Sequence, residues 1–189
     1  DFGRGCPVDW NPAEKRFNWE LVYCELYAGG KYKNDDGGDY EYSLGLNGLG
    51  ACATQYASEY MDVTVWRDGN KYSLHFAKGK IKGKMLVEPS DRKKTGTTTR
   101  WKPDIEVFTD INIPESYFLD ILRRQAVVNA GVTFRFRAQH GAKFETTEFC
   151  YKNGIADYVA ELAGESPLTQ PYYIETERKG KDREDKPEY

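Results

Sequence analysis

The stretch Ser43-Leu44-Gly45-Leu46-Asn47-Gly48-Leu49-Gly50 decides how the rest of the sequence is interpreted. It follows a loop rich in glycine and aspartate, and it precedes a run, Ala51 to Tyr60, that is typical of a helix. Its three glycines leave backbone N–H groups uncovered. At a helix N-terminus such groups and the helix dipole together favour an anion. The stretch therefore predicts a phosphate-binding turn, although short glycine patterns also occur in ordinary surface loops.

The composition is that of a polar globular chain. Its 189 residues are enough for one domain with a hydrophobic core. The net charge of -3 argues against a nucleic-acid clamp, so any such contact must be local or made by another part of an assembly. The four cysteines form no C-x-x-C pair, the two histidines lie far apart, and neither pattern suggests a metal site. We expect reduced cysteines, a cytoplasmic location and no membrane span.

Helical and strand patterns alternate along the chain in blocks. Asn11 is typical of a helix N-cap, and Pro12 is typical of the first helical position. Glu14 is at the third position, where its side chain can return a capping bond. Apolar periods of three and four predict helices, and apolar alternation around turns predicts strands. The predicted helices are 11–28, 51–60, 114–130 and 154–163, and the predicted hairpins are 61–67 with 71–76 and 132–137 with 143–150. Such blocks indicate an α+β fold, a sheet with helices on one face.

Three motifs together resemble a known family. They are Asp1-x-Gly3-Arg4-Gly5-x-Pro7, then Ala28-Gly29-Gly30-Lys31-Tyr32, then the segment from Tyr40 to Gly50. Their order and spacing, with Thr95-Gly96-Thr97 and Asn129-Ala130-Gly131-Val132 downstream, resemble the ATP-binding domain of bacterial type IIA topoisomerases, which is found in the B subunits of DNA gyrase and topoisomerase IV. These belong to the GHKL ATPase superfamily. The sequence leaves gyrase and topoisomerase IV open as alternatives.

The resemblance implies the Bergerat fold. This is a two-layer α/β sandwich, in which helices cover one face of a mixed, mostly antiparallel sheet and ATP binds among the helices under a lid. It implies a GHKL domain over residues 1–170 that lacks its N-terminal helix, since the sequence opens inside a motif. Residues 171–189 would begin the connection to a transducer domain, with a tail that we expect to be disordered.

The resemblance also assigns the base-binding side of the pocket. Asp1 would accept a hydrogen bond from the adenine amino group, because an ionised carboxylate only accepts. Gly3 and Gly5 would let the backbone approach the base. Pocket walls would come from Arg4, Pro7, Arg67 and Thr97. Without the resemblance, the sequence would predict that Asp1 belongs to a frayed terminus and that Thr97 is an ordinary strand residue. It would predict that Arg67 lies at an exposed strand end.

The phosphate side follows from the same resemblance. On the lid, Tyr40 would meet the nucleoside and Lys31 would lie near the phosphates. The N–H groups of Gly45, Leu46, Asn47, Gly48, Leu49 and Gly50 would hold the triphosphate. The chain departs from the family at Leu44, where a glycine is usual, and at Asn47, where a histidine is usual. Backbone donors survive both changes, whereas the details of lid closure do not follow from the motif.

The remaining expectations concern catalysis and partners. The resemblance places the general-base Glu and a Mg²⁺-ligating Asn upstream of Asp1, so no catalytic or metal residue is assigned here, and we expect these 189 residues alone to hydrolyse ATP slowly or not at all. In the full-length protein it implies ATP with Mg²⁺, a homodimer, the DNA-cleaving subunit and DNA strand passage. An alternative is a degenerate, non-enzymatic nucleotide-binding or interaction module. A histidine-kinase ATPase domain fits the strand hairpins less well.

Overall fold

The computed structural model describes residues 1–28, 48–169, 171, 172 and 174. The chain divides into two compact units, Asp1–Ile111 and Asn112–Tyr189. Both units lie mainly within the expected domain 1–170. The expected boundary at residue 170 stays a prediction, because most of the tail lies outside the described residues.

The first unit is built on a five-stranded antiparallel sheet. Its strand order is β5-β4-β3-β7, with β6 pairing the same edge of β4 as β5 does. A two-stranded β1–β2 hairpin precedes the helices. The elements are β1 (Trp10–Asn11), β2 (Arg16–Phe17), α1 (Asn18–Cys24), α2 (Gly50–Tyr56), β3 (Ser58–Arg67), β4 (Asn70–Ala77), β5 (Lys80–Ile81), β6 (Leu86–Pro89) and β7 (Gly96–Pro103).

The β3–β4 hairpin forms where the sequence predicts it. Arg67 pairs with Asn70, so Asp68 and Gly69 are the two-residue turn. Both turn residues have positive φ, 54° and 77°, as a tight turn matched to the strand twist requires. The register of the β3–β4 hairpin determines which side chains of the two strands face the helices.

Alternating side chains of the sheet form the core of this unit. Met61, Val63 and Val65 of β3 are buried together with Leu74 and Phe76 of β4. From α1, the rings of Trp19 and Tyr23 pack on Phe76, with ring centroids 6.0 and 5.9 Å away. On the opposite face, Asp62 and His75 pair across the strands at 2.6 Å. The expectation of helices on one face holds within this unit.

The first predicted helix begins six residues later than the cap pattern indicates, at Asn18 instead of Pro12. Asn11 does accept hydrogen bonds at its side-chain oxygen from the amides of Ala13 and Glu14, at 3.0 and 3.2 Å. These amides belong to the turn between β1 and β2, where Lys15 has a φ of 53°. An Asn side chain caps a turn as readily as a helix, so the sequence pattern was ambiguous and the helix prediction was wrong over 11–17. It was also wrong over 25–28, because the helix ends at Cys24, Glu25 is extended and Tyr27 has a φ of 63°.

The second predicted helix is shorter than expected. It ends at Tyr56, because Ser58 already pairs with Pro103 of β7. The hydroxyl of Ser58 donates to the carbonyl of Thr54 at 2.5 Å, and this bond ties the end of α2 to the start of β3.

The second unit has the predicted order of helix, hairpin and helix. Ala126, Val127 and Tyr151 form its core, against partly buried Phe134, Phe149 and Tyr158. The Tyr151 hydroxyl donates to Glu161 at 2.8 Å and accepts from Arg123 at 3.1 Å. Its elements are α3 (Glu115–Val128), β8 (Phe134–His140), β9 (Lys143–Phe149) and α4 (Ile155–Ala163), each within two residues of the prediction at most boundaries.

Candidate nucleotide site

The N-terminal motif lies directly on the start of β7. The main-chain nitrogen of Asp1 donates to the carbonyl of Thr97 at 2.9 Å. In return the Asp1 side-chain oxygen Oδ1 accepts from the amides of Gly3, at 2.9 Å, and Thr97, at 3.2 Å. The carboxylate is therefore anchored at one oxygen, and it is exposed. We name the contacts of Asp1, Gly3, Gly5 and Cys6 with β3 and β7 the Asp1 corner.

Gly96 makes this approach possible. A Cβ atom at Gly96 would lie 2.2 Å from the Asp1 carbonyl oxygen, and its φ is 133°. Real Cβ atoms do not come so close to backbone, so only glycine fits without displacing the motif. Gly96 belongs to the Thr95-Gly96-Thr97 motif of the sequence, but it was not predicted to be a site residue. Glycine between two threonines at a strand start was the available signal.

Gly5 is the second point of close approach. Its φ is 84°, and a Cβ there would lie 2.6 Å from the Trp66 carbonyl oxygen. Arg67 donates from its guanidinium to the Gly5 carbonyl at 3.2 Å and pairs with Asp68 at 3.1 Å. Arg67 therefore holds the motif against β3, which is a more specific placement than the exposed strand end that composition alone suggests.

The Thr97 side chain joins β7 to the N-terminal motif. Its hydroxyl oxygen accepts the Cys6 amide hydrogen at 2.9 Å. The hydroxyl hydrogen remains available for a further acceptor. The neighbouring Pro7 is half-buried and leads into Val8, which is fully buried in the core. Arg4, by contrast, is exposed.

The thiol of Cys6 contacts the phenol of Tyr23, and sequence reasoning did not find this contact. Burial raises the pKa of the Cys6 thiol, while its hydrogen bond with Tyr23 and the Arg67 charge act in the opposite direction. Burial also raises the pKa of Tyr23, and the hydrogen bond with Thr99 opposes it. Both groups are therefore neutral at physiological pH.

The glycine turn is described only at its end. Gly48 has a φ of 59°, Leu49 precedes α2, and Gly50 is its first residue, so the turn does run into a helix N-terminus as predicted. The Leu49 carbonyl accepts from the Ala53 amide at 2.8 Å and closes the first helical turn. The remaining predicted site residues, Lys31, Tyr40, Gly45, Leu46 and Asn47, lie outside the described residues.

The structure thus brings part of the predicted site together. Asp1, Gly3, Gly5, Arg67 and Thr97 are joined by hydrogen bonds within one corner. Over the described ranges there is no group of three His, Cys, Asp or Glu residues that could hold a metal ion. No helix within those ranges is both long and apolar enough to cross a bilayer.

Comparison with known proteins identifies similar chains. The B subunit of DNA topoisomerase 4 from Salmonella typhimurium is 33% identical over 168 residues, which is 88% of this chain and 26% of that protein. The B subunit of DNA gyrase from Synechocystis is 34% identical over 163 residues, 86% of this chain and 15% of that protein. The chain therefore spans about a quarter or less of the length of these relatives. No family model matches it.

Solved structures agree with the sequence comparison. The 43K ATPase domain of Thermus thermophilus gyrase B, solved with an aminocoumarin, matches with a TM-score of 0.68 and 30% identity, over 89% of this chain and 41% of that one. The topoisomerase IV ATP-binding domain of Francisella tularensis matches with a TM-score of 0.70 and 25% identity, over 95% and 46%. The likeness confirms the expected α+β GHKL fold.

Proposed function

We propose that this chain, which belongs to the family of ATP-binding domains found in the B subunits of DNA gyrase and topoisomerase IV, binds ATP at the Asp1 corner. The observation that carries the proposal is the anchored Asp1 carboxylate. Both hydrogen bonds that the described residues give to its side chain end on Oδ1. Oδ2 is then placed to accept a hydrogen bond from an amino group.

The chemistry of the corner favours adenine over a base with a keto group. An ionised carboxylate has no hydrogen to donate, so it pairs with the 6-amino group of adenine and repels a 6-keto oxygen. The Thr97 hydroxyl supplies one hydrogen for a ring nitrogen or a bridging water. Cys6 and Tyr23 are uncharged, which suits a flat, neutral base.

The phosphates would extend from this corner toward the turn that ends at Gly50. The turn from Gly45 to Gly50 offers backbone N–H groups, and Lys31 and Tyr40 on the preceding segment complete the site as the family resemblance implies. Mg²⁺ would arrive with the triphosphate and be held largely by phosphate oxygens and water. No residue of the described part of the chain is assigned to it.

In the larger protein we infer that ATP binding and hydrolysis drive a homodimer to close during DNA strand passage, together with a DNA-cleaving subunit. The names of the relatives, DNA gyrase and DNA topoisomerase 4, support this inference, as does the structural likeness to their ATPase domains. Such a protein would act in the cytoplasm, where bacterial DNA is handled.

Calorimetric titration of the 189-residue chain with a non-hydrolysable ATP analogue tests nucleotide binding. We expect saturable heat with one site per chain, strengthened by Mg²⁺ because the metal screens the triphosphate. The matched GTP analogue should bind more weakly, since it presents a keto oxygen to Asp1. Absence of heat with both nucleotides, with and without Mg²⁺, would overturn the proposed function.

A further inference from the structure

The side of the sheet that is formed by β5 and β6 is strongly basic. Residues 78–94, which include β5 and β6, contain seven lysines and arginines and two acidic residues, whereas the whole chain has a net charge of -3. We call Lys80, Lys82, Lys84, Arg92 and Lys93 the basic edge. All five side chains are exposed.

The fold fixes the positions of the first three lysines. Ile81 lies between Lys80 and Lys82, Met85 directly follows Lys84, and both apolar side chains pack against the hydrophobic core while the lysines are exposed. Pairing of Ala77 with Lys80 and a hydrogen bond from the Lys82 amide to the His75 carbonyl, at 2.8 Å, hold this segment on β4. Hydrogen bonds to β4 thus fix the backbone that carries these lysines.

Arg92 and Lys93 are held by an equally ordered turn. The Ser90 amide donates to the Gly69 carbonyl at 2.8 Å, and the Asp91 carboxylate accepts from the Lys93 amide at 2.9 Å. The Arg92 side chain covers Gly69, where a Cβ would come within 2.9 Å of its Cγ. This turn continues the line of positive charge beyond the end of β6.

These charges are not neutralised within the described part of the chain. Neighbouring lysines are paired there, Lys71 with Glu88 at 2.8 Å and Lys78 with Glu106 at 2.6 Å. No ion pair among the described residues includes a member of the basic edge. Uncompensated basic side chains on an ordered surface attract a polyanion, and the attraction is strongest at low salt.

Lysines at a sheet edge also serve to block pairing with other strands. That role accounts for Lys80 and Lys82, which lie beside paired strand residues. It does not account for Arg92 and Lys93, which lie in a turn where there is no strand edge to protect. Edge protection therefore does not explain all five charges.

We propose that the basic edge contacts the phosphate backbone of duplex DNA, an inference that rests on the proposed function because the polyanion is identified from it. Lys80 and Lys82 lie beside β4, and β3 separates β4 from β7, where Asp1 is held. Arg92 lies against Gly69, and Lys93 is three residues before Gly96, so the basic edge extends from the far side of the sheet to the end that carries the Asp1 corner. The contact is sequence-independent, since it is made to phosphates rather than to base edges.

Fluorescence anisotropy of a labelled duplex of about 30 base pairs, titrated with the 189-residue chain at several salt concentrations, tests the proposal. Five phosphate contacts predict a slope of about -4.5 in log affinity against log salt, a loss of several hundredfold between about 50 and 200 mM. The K80Q/K82Q/K84Q variant should reduce the slope by about 3, and the R92Q/K93Q variant by about 2. The second variant leaves the strand edge intact, so a folding defect in the first does not decide the test.

The matched control is K102Q/K143Q/K152Q, which removes the same charge from exposed lysines elsewhere. It should leave the slope near the wild-type value. The proposal would be overturned if the wild-type chain did not bind DNA or bound it independently of salt. It would also be overturned if the control and the triple variant had equal slopes. Aggregation of the triple variant with unchanged DNA affinity would overturn it as well, because it would indicate edge protection. Titration of every variant with the ATP analogue separates this from failure of the proposed function, because K80Q/K82Q/K84Q changes residues beside β4 and should lose DNA affinity while its nucleotide affinity is unchanged.

Discussion

At the scale of single residues, two glycines determine how closely the Asp1 corner can form. Gly5 lies against the Trp66 carbonyl, and Gly96 lies against the Asp1 carbonyl, each within a distance that no side chain permits. Both also have positive φ, which costs an L-residue roughly 1–2 kcal/mol. The corner is therefore a matter of backbone contact as much as of side-chain chemistry.

Substitution of Gly5 by alanine should destabilise the chain and weaken binding of the ATP analogue. The new Cβ would meet backbone at 2.6 Å and push the motif off β3. Gly83→Ala is the matched control, because Gly83 has a similar φ of 78° but nothing within 4 Å of its Cβ position. In urea unfolding, Gly5→Ala should cost about 1–3 kcal/mol more than Gly83→Ala, as for an overpacked core. Equal losses would mean that the close contact does not matter.

A second residue-scale prediction concerns Gln55 on α2. Gln55 is fully buried, and neither its amide nitrogen nor its amide oxygen has a hydrogen-bond partner among the residues that the structure describes. A buried amide without partners costs about 1–3 kcal/mol, so Gln55→Met, of similar length, should leave stability unchanged or raise it. Urea unfolding measures this directly. A loss of more than about 1 kcal/mol would show that the amide makes a bond that stabilises the fold.

At the scale of elements, the packing of α1 and α2 places thiols in a low-dielectric layer. Burial, with the nearby Cys52 thiol and the Glu20 charge, raises the pKa of Cys24 to about 11 from 9.0. The unfolded chain therefore ionises this thiol at lower pH than the folded chain does. The stability contributed by Cys24 is complete below pH 9.0 and is lost as the pH rises through about 11.

Urea unfolding under reducing conditions between about pH 8 and 11 should show this loss. Wild-type stability is expected to fall across that interval, and Cys24→Ala should fall less steeply because it removes one of the thiols with a raised pKa. Cys150→Ala is the control, since Cys150 is exposed. If Cys24→Ala and wild type decline in parallel, the Cys24 thiol does not lie in a buried environment.

The elements also show how far sequence reasoning reaches. The Asp68-Gly69 hairpin, α3, α4 and the β8–β9 hairpin were predictable, because strong turn residues and long apolar periods act locally. The start of α1 was not predictable, because Asn11 caps amides in a turn as well as it would in a helix. The contact of the N-terminal motif with the start of β7 was also not predictable from local patterns, because Asp1 and Thr97 are 96 positions apart in the sequence.

At the scale of the whole molecule, motif spacing identified the family and the fold, and the comparisons confirmed both. Composition alone could not have done so, since a net charge of -3 argues against DNA contact for the chain as a whole. The structure adds to that picture, because positive charge is concentrated in residues 78–94, which include β5 and β6. The proposed nucleotide site and the proposed polyanion surface would both lie on this unit.

The most direct test of nucleotide binding at the Asp1 corner compares ATP with inosine triphosphate, whose base carries a keto oxygen in place of the amino group, on wild type and Asp1→Asn. Asparagine keeps an oxygen for the Gly3 and Thr97 amides but can donate from its NH₂. Competition against a fluorescent nucleotide should show ATP affinity falling roughly 10- to 100-fold in Asp1→Asn, since a hydrogen bond to a charged group contributes about 1.5–3 kcal/mol. Inosine triphosphate should bind Asp1→Asn no worse than wild type, and Asp9→Asn should change neither affinity. Unchanged ATP affinity in Asp1→Asn would contradict adenine recognition by this carboxylate.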